Sequence, residues 1–252
     1  MKISIITVCF NSAKTISDTI RSVANQEYPD IEHIIVDGGS TDGTVKLIDN
    51  ASSIARYVSE PDKGIYDAMN KGIAMATGDV VGILNADDFY TSIHVVSSIA
   101  EVFKNPTIDA CYADLVYVDQ TDINKVVRYW RSEAFISGAF KRGWMPPHPT
   151  FFCRKSVYEE NGNFDLNYKI ASDVELLFRF LEVKKIRFMY LPELIIKMRL
   201  GGTTNKNLKN IIFQNKEVLR FLDDYYGRVS RLHFFYCKIS NRLKQFIFKP
   251  KD

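Results

Sequence analysis

Short apolar runs alternate with segments of helical periodicity along the first hundred residues. The predicted strands are 3–10, 31–36, 55–59 and 80–84, and the predicted helices between them are 12–26, 45–51 and 66–76. Ser12 is the predicted N-cap of the first helix. Strands that alternate with helices form parallel sheets with right-handed crossovers. This half of the chain therefore predicts an α/β fold with a mainly parallel, Rossmann-like sheet flanked by helices.

The second half of the chain is less regular. The pattern predicts helices at 93–103 and 173–181 and strands at 110–119, 126–130, 151–153 and 186–191, the first two strands in a more antiparallel region. No internal repeat or low-complexity linker divides the chain. We therefore expect one large domain over 1–205 and a helical, basic extension over 206–252.

Basic residues are concentrated at the C-terminal end. The 252-residue chain has a formal net charge of +3, but residues 228–252 contain seven Lys or Arg and one acid. The other 227 residues carry 26 basic and 29 acidic groups, so the charge balance predicts no nucleic-acid partner. The four cysteines have no metal-ligand spacing, which is typical of reduced thiols in a cytoplasmic protein. The first apolar run is too short for a signal peptide and is predicted as a strand.

Acidic side chains follow three of the predicted strands. Asp37 follows the second strand, Asp62 follows the third, and Asp87 and Asp88 follow the fourth. The carboxyl ends of parallel strands share one edge of a sheet, so these carboxylates should converge on one cleft. Carboxylate oxygens suit Mg²⁺ or Mn²⁺, which would in turn hold a diphosphate. The Asp87-Asp88 pair also fits a plain turn in which Asp88 caps the next helix.

The glycine-rich loop at 38–43 excludes two common nucleotide-binding classes. It lacks the G-x-G-x-x-G spacing of a dinucleotide fingerprint and follows the second strand instead of the first. It also lacks the Lys-Ser/Thr ending of a P-loop. A hydride-transfer enzyme and a P-loop NTPase are therefore both disfavoured.

Seven short motifs follow one another between residues 3 and 200. They are Ser4–Asn11, Gln26–Pro29, Ile35–Thr44, Glu60–Gly72, Ala76–Asp79, Leu84–Asp88 and Ala171–Leu176. Each is weak alone, but the ordered set resembles the family 2 inverting glycosyltransferases, which have the GT-A fold. The closest resemblance is to the enzymes of bacterial capsule, O-antigen and exopolysaccharide assembly.

The resemblance implies roles for individual residues. It implies donor-binding roles for Thr7, Asn11, Asp37, Asp62, Lys63, Asp67, Asn85 and Asp87, a metal-binding role for Asp88, and the role of catalytic base for Asp173. Many relatives have a second acid where this chain has Gly38, which leaves the nucleotide base open. In relatives a loop placed like Gly201–Thr204, after Arg199, can close over the diphosphate. From the residues alone, Asp173 also fits an ordinary helix cap.

The implied reaction is transfer of a hexosyl or N-acetylhexosaminyl group from a nucleotide sugar, most simply a UDP-sugar, with Mn²⁺ or Mg²⁺. The metal would stabilise the leaving diphosphate while Asp173 takes the proton of an acceptor hydroxyl, which inverts the anomeric carbon. The expected acceptor is a lipid-linked or other saccharide. A nucleotidyltransferase is the main alternative, but Cys9–Ser12 is not the glycine-rich basic loop such an enzyme carries after its first strand. A non-catalytic sugar- or nucleotide-binding module is the other alternative.

A proline-rich loop at 141–150 lies between the acidic pair and Asp173. Trp144 is a candidate to stack on an acceptor sugar, and His148 is a candidate to hydrogen-bond the acceptor or a phosphate. The alternative for both is a structural role in the core.

The segment 228–248 has the pattern of an amphipathic helix. Its apolar face consists of Leu232, Phe235, Tyr236, Ile239, Leu243, Phe246 and Ile247, and a basic stripe beside it consists of Arg231, Lys238, Arg242 and Lys249. A basic, aromatic-rich helix suits an anionic membrane surface, which predicts a protein held peripherally at the inner face of the plasma membrane. The alternative is a helix that packs on the domain.

Overall fold

The computed structural model describes residues 1–201 and 208–247. Its strands are β1 (Ile3–Cys9), β2 (Ile31–Asp37), β3 (Arg56–Ser59), β4 (Val80–Ile83), β5 (Asp88–Tyr90), β6 (Ala110–Val118), β7 (Val126–Trp130), β8 (Phe152–Arg154) and β9 (Phe188–Arg199). Its α-helices are α1 (Ile16–Ala24), α2 (Thr44–Asp49), α3 (Ile65–Met75), α4 (Val95–Phe103), α5 (Lys155–Asn161), α6 (Ser172–Phe178), α7 (Leu208–Tyr226) and α8 (Arg231–Ile247). The α/β fold class is confirmed.

The described strands form one sheet with a parallel half and a mixed half. The order is β3-β2-β1-β4-β8-β6-β9-β5, and β7 pairs with β6 outside this path. The strands β3, β2, β1 and β4 are parallel, as the alternation of strands and helices predicts. Antiparallel pairs then appear at β4–β8, β8–β6, β6–β7 and β9–β5, whereas β6 and β9 are parallel.

The acidic pair does not lie in one turn, because a strand begins inside it. Strand β4 ends at Ile83, and Asp88 is the first residue of β5, paired with Met198 of β9. Asp88 is therefore not the N-cap of a helix. The first helix also differs from its prediction, because α1 begins at Ile16 after Thr15, and the backbone carbonyl of Ser12 accepts the N–H groups of Thr15 and Ile16.

Helix α7 belongs to the main core. Its buried residues Val218, Leu219, Phe221 and Leu222 lie in the same hydrophobic cluster as strands β1 and β4 and helix α6. The extension predicted at 206–252 is thus packed on the rest of the chain through α7. The predicted domain boundary between residues 205 and 206 falls outside the described residues.

Helix α8 packs on the domain through the face opposite to its apolar stripe. Phe234 is fully buried, whereas Leu232 is 88% exposed, Tyr236 74% and Ile247 73%. The predicted apolar face is therefore turned to solvent. Residue 248 and Lys249 of the predicted segment lie outside the described residues. Among the residues that are described, no helix is both long and apolar enough to cross a membrane.

Candidate active site

A large cavity opens at the carboxyl ends of β1 and β4. Its volume is about 1770 Å³, and it reaches from the loops after these strands to β7, α6 and α8. Of the residues predicted from the sequence, the cavity is lined by Asn11, Asp62, Asn85, Asp87, Trp144, His148 and Asp173. The acids that follow β3 and β4 therefore lie in one space, as expected for the carboxyl ends of parallel strands. Asp173, at the start of α6, lines the same space.

Asp37 stabilises the 38–43 loop, which lies at one end of the cavity, through buried hydrogen bonds. It is fully buried, and its carboxylate accepts hydrogen bonds from the N–H groups of Gly39 (3.1 Å) and Ser40 (2.9 Å) and from the Ser59 hydroxyl (2.7 Å). Burial raises the pKa of Asp37, but hydrogen bonds from Ser40 and Ser59 outweigh it, so the pKa lies below its usual value. Asp37 is therefore a buried support of the loop and does not line the cavity.

Asn11 and Asp62 form the polar surface above this support. Asn11 has a left-handed backbone (φ 48°), and its side-chain oxygen accepts the N–H of Thr41 at 2.9 Å. Asp62 accepts the N–H of Gly64 at 2.7 Å. A Cβ atom at Gly38 would lie 2.6 Å from Oδ2 of Asp62, so the carboxylate of Asp62 occupies the space that a larger residue 38 would need.

The two adjacent acids Asp87 and Asp88 lie in different environments. Asp87 lines the cavity, whereas Asp88 is fully buried and accepts one hydrogen bond, from the Asn85 amide (3.0 Å). Burial and then the charge of Asp87 raise the pKa of Asp88 well above its usual range. Asp88 does not line the cavity, but its Oδ1 is buried without a hydrogen-bond partner. The metal-binding role implied for Asp88 stays a prediction.

Asn85 and Asp87 line the cavity at this point. Like Oδ1 of Asp88, the Asn85 side-chain oxygen is buried and has no hydrogen-bond partner, which is unusual for a polar atom and fits a ligand of a cation. No group of three or more His, Cys, Asp or Glu side chains in the described part could hold a metal. A hard cation that keeps waters and phosphate oxygens as its other ligands needs only one or two protein oxygens. The donor set therefore fits Mg²⁺ or Mn²⁺ held partly by a diphosphate.

Asp173 lies at the start of α6 and faces the same cavity. Its Oδ1 accepts a hydrogen bond from the Tyr66 hydroxyl at 2.9 Å, and that hydroxyl is also 2.9 Å from the carbonyl oxygen of Ile170. Tyr66 is buried on α3, so this contact ties the first turn of α6 to the parallel half of the sheet. Burial and the charge of Asp173 raise the pKa of Tyr66, which keeps the hydroxyl protonated.

Glu217 of α7 fixes the loop that leads into Asp173. Its carboxylate accepts the backbone N–H groups of Lys169 (2.7 Å), Ile170 (2.9 Å) and Ala171 (3.0 Å). Glu217 is only 6% exposed, so these charge-assisted bonds are shielded from water. Glu217 is a positioning residue for Asp173.

The chain matches the family described as glycosyl transferase family 2 over residues 4–163. The chain belongs to this family. It is 33% identical over 181 residues to an uncharacterized glycosyltransferase of Mycobacterium tuberculosis, covering 70% of this chain and 68% of that one. It is 28% identical over 207 residues to a PGL/p-HBAD biosynthesis glycosyltransferase of Mycobacterium bovis, covering 80% and 78%.

Solved structures show the GT-A fold for this family 2 chain. TarS residues 1–349 of S. aureus in complex with UDP-GlcNAc match with a TM-score of 0.68 and 18% identity, covering 99% of this chain and 74% of that one. Mannosyltransferase PcManGT of Pyrobaculum calidifontis in complex with GDP-Man and Mn²⁺ matches with a TM-score of 0.65 and 18% identity, covering 95% and 69%.

Three further residues predicted to bind the donor lie outside the cavity of this family 2 chain. Thr7 is fully buried in β1, and its hydroxyl is 3.0 Å from Nε2 of His33. Lys63 is exposed on the turn before α3, and Asp67 accepts the Lys63 N–H at 3.0 Å. None of Thr7, Lys63 and Asp67 lines the cavity, so the structure does not support a donor-binding role for them.

Trp144 and His148 pack against core aromatic residues and also line the cavity, and their acceptor role stays a prediction. Trp144 packs against Phe135 at 5.5 Å between ring centroids and against Phe140 at 5.8 Å, and His148 packs edge-on against Phe164 at 5.5 Å. Burial lowers the pKa of His148, while the charge of Asp173 opposes this shift, so His148 is a neutral polar group at neutral pH.

Several residues that contact Asp173 or Asp87, or that line the cavity, could not be found from sequence spacing. Tyr66 and Glu217 act on Asp173 from far along the chain, and Arg199 donates to the backbone carbonyl of Asp87 at 3.0 Å while pairing with Asp18 at 2.5 Å. The loop residues 202–204 that follow Arg199 lie outside the described part. Helix α8 lines the cavity with Lys238 and Arg242, which the sequence suggested only as part of a membrane-facing stripe.

Proposed function

We propose that the protein is an inverting glycosyltransferase that transfers a hexosyl or N-acetylhexosaminyl group from a nucleotide-diphosphate sugar to a saccharide acceptor. The observation that carries this proposal is that Asp173 and the Asn85/Asp87 pair line the same cavity. Between them is the space that a sugar needs if its leaving group and its attacking hydroxyl are on opposite sides of the anomeric carbon.

The donor would lie with its nucleoside near Asn11 and Asp62. These polar groups lie above the loop that Asp37 supports, and the cavity continues from them to Asn85 and Asp87. TarS, which shares the fold, was solved with UDP-GlcNAc, and this supports a UDP-sugar as the first donor to test.

A divalent metal fits the space between the donor diphosphate and the protein. Asn85 and Asp87 would hold it, and Asp88, whose Oδ1 is also unpartnered, is the further candidate ligand. A bound Mn²⁺ or Mg²⁺ would stabilise the negative charge that develops on the leaving diphosphate. PcManGT, with the same fold, was solved with Mn²⁺.

Asp173 would act as the general base. Tyr66 donates to one carboxylate oxygen, and Glu217 fixes the three preceding backbone N–H groups, so Asp173 is held in one orientation. The second carboxylate oxygen would accept the proton of the acceptor hydroxyl as that hydroxyl attacks the anomeric carbon. A single displacement of this kind converts an α-linked donor into a β-linked product.

The acceptor class we propose is a lipid-linked saccharide of the cell surface. The relative from Mycobacterium bovis carries a name that connects it to PGL/p-HBAD biosynthesis. In this chain the exposed apolar face of α8 lies on the same helix that lines the cavity with Lys238 and Arg242. A membrane-bound acceptor would then reach Asp173 from the side of α8.

Peripheral binding of α8 to an anionic membrane follows from the same helix. Residues 228–247 contain five basic residues and no acid, and Leu232, Tyr236, Ile239 and Leu243 are each more than half exposed. Vesicle flotation of full-length protein should show binding to phosphatidylglycerol vesicles that weakens with salt. The double variant Ile239→Ser/Leu243→Ser should lose binding, and Ile93→Ser, which changes a 42% exposed residue before α4, should not. Equal binding by both variants would refute the membrane role.

Thermal-shift screening tests the proposed donor directly. A cognate nucleotide sugar should raise the melting temperature in the presence of Mn²⁺, because a ligand that binds only the folded state stabilises it by mass action. Release of the nucleoside diphosphate should then be measured with the donor that gives the largest shift. If no nucleotide sugar in a broad panel stabilises the protein or is hydrolysed, the proposed function is wrong.

A further inference from the structure

The wall of the cavity formed by β7 and α8 is basic. Arg128, Arg131, Lys238, Arg242 and Lys244 line it, and Glu133 is the one acid that these two elements and the residues directly after β7 contribute among the described residues. The same cavity is lined by Asp62 and Asp87, on the loops after β3 and β4. A cavity with one acidic and one basic wall suggests two different ligand groups.

Arg128 is buried without an acid beside it. It is 7% exposed, its guanidinium carbon lies 3.7 Å from the centroid of the Tyr117 ring, and its Nε has no hydrogen-bond partner. Among the described ion pairs none involves Arg128. A buried guanidinium without a counter-charge is costly, and a negatively charged ligand would offset that cost.

Lys238 connects the basic wall to Asp173. Helix α8 lies directly against Gly143, since a Cβ atom at Gly143 would be 2.8 Å from Cβ of Lys238. The Lys238 ammonium donates to the neutral side-chain oxygen of Asn215 at 2.7 Å. Burial and Arg242 lower the pKa of Lys238 to about 8, while Asp173 opposes the shift. Lys238 is thus within electrostatic range of both Asp173 and Arg242.

We propose that Arg128, Lys238 and Arg242 form a subsite for a phosphate group carried by the acceptor. This inference rests on the proposed glycosyl transfer. In an inverting displacement the leaving diphosphate and the attacking hydroxyl lie on opposite sides of the anomeric carbon. We assign the donor diphosphate to Asn85 and Asp87, and Lys238 lines the same cavity as Asp173, so an anion on this wall is assigned to the acceptor. Guanidinium groups bind phosphate oxygens through paired N–H donors, which favours a phosphate ester over a neutral saccharide.

The test uses octyl phosphate as a probe of the acceptor and octyl glucoside as its neutral counterpart. Each is titrated by calorimetry into full-length protein saturated with UDP and Mn²⁺, which occupy the donor site. Octyl phosphate should bind about tenfold more tightly than octyl glucoside. Arg128→Met should weaken octyl phosphate binding by about tenfold, and Arg242→Met, on the exposed part of α8, should weaken it in the same direction. The exposed Arg228, outside the cavity, gives the control variant Arg228→Met, which should bind as the unaltered chain does.

Three results would overturn the subsite. Octyl phosphate could bind no more tightly than octyl glucoside, it could bind only when UDP is absent, or Arg128→Met could weaken UDP as strongly as octyl phosphate. The last two results would assign the basic wall to the donor diphosphate. Failure of the proposed function is distinguishable, because the unaltered protein would then bind neither UDP nor any nucleotide sugar.

Discussion

The two walls of the cavity are built in different ways. The acidic wall comes from loops that follow β1 to β4, and its residues Asn11, Asp62 and Asp87 lie within the first ninety residues. The basic wall comes from β7 and α8, and Arg128 is separated from Lys238 by more than a hundred positions. An acidic wall needs a cation before it can hold a diphosphate, whereas a basic wall can hold a phosphate directly. Our proposal therefore assigns the donor to the acidic wall and the acceptor to the basic wall.

Removal of the proposed base should lower the transfer rate more than any other change. Asp173→Asn keeps the hydrogen bond from Tyr66 but cannot take a proton, so transfer should fall about 10³-fold while UDP affinity stays nearly constant. Initial rates of nucleotide release and calorimetric UDP titrations measure the two quantities. Asp224→Asn, at an exposed acid of α7, is the matched control. A variant that keeps normal transfer would remove Asp173 from the mechanism.

The adjacent acids should differ when each is changed to asparagine. Asp87→Asn should abolish the increase in UDP affinity that Mn²⁺ gives and lower transfer by about 10²-fold, because a carboxylate ligand is lost. Asp88→Asn replaces a buried carboxyl that does not line the cavity, so the Mn²⁺ dependence should remain. Titrations of UDP with and without Mn²⁺ check both. The reverse order of effects would return the metal to Asp88.

Loosening of the loop before Asp173 should have a smaller effect. Glu217→Gln loses the charge that three backbone N–H groups share, which should cost about 2 kcal/mol of stability and lower kcat more than it changes the KM of the donor. Denaturant unfolding and steady-state kinetics measure these changes. Glu159→Gln, on the exposed side of α5, is the control. If kcat stays constant while stability falls, Glu217 is structural only.

The smallest effect is expected at the nucleoside end. Gly38→Ala would place a methyl group against the Asp62 carboxylate, which can rotate away, so donor affinity should fall by about threefold with little change in kcat. Gly43→Ala has open space around its Cβ atom but a φ of 98°, so it measures backbone strain alone, which Gly38→Ala does not add because the φ of Gly38 is not positive. Tighter donor binding by Gly38→Ala would mean that Asp62 does not contact the donor.

The parallel half of the fold could be predicted closely because its pattern is local. Strands β1 to β4 differ from prediction by no more than one residue at either end, and β7, which lies outside the parallel half, has the predicted bounds. Strand β5 could not be predicted, because Asp88–Tyr90 is a strand only through its pairing with β9. Strand β9 runs past Pro192, where the sequence suggests an end, and its pairing with β6 shifts register near that point.

The candidate site was predictable where a residue follows a strand and unpredictable where contacts cross the chain. Asp62, Asp87 and Asp173 could be found from their motifs. The burial of Asp37 and Asp88 could not, because both motifs look the same whether the carboxylate points into the sheet or into the cleft. The contributions of Glu217 and Lys238 depend on how α7 and α8 pack, which no spacing in the sequence encodes.

The anomeric configuration of the first sugar released tests the central claim most directly. The UDP-sugar that the protein hydrolyses fastest is followed by proton NMR in the first minutes, with water as the acceptor. An attack directed by Asp173 from the side opposite the diphosphate predicts that the β-anomer appears first from an α-linked donor and then equilibrates. Initial release of the α-anomer would contradict the placement of the base and the leaving group on opposite sides of the sugar.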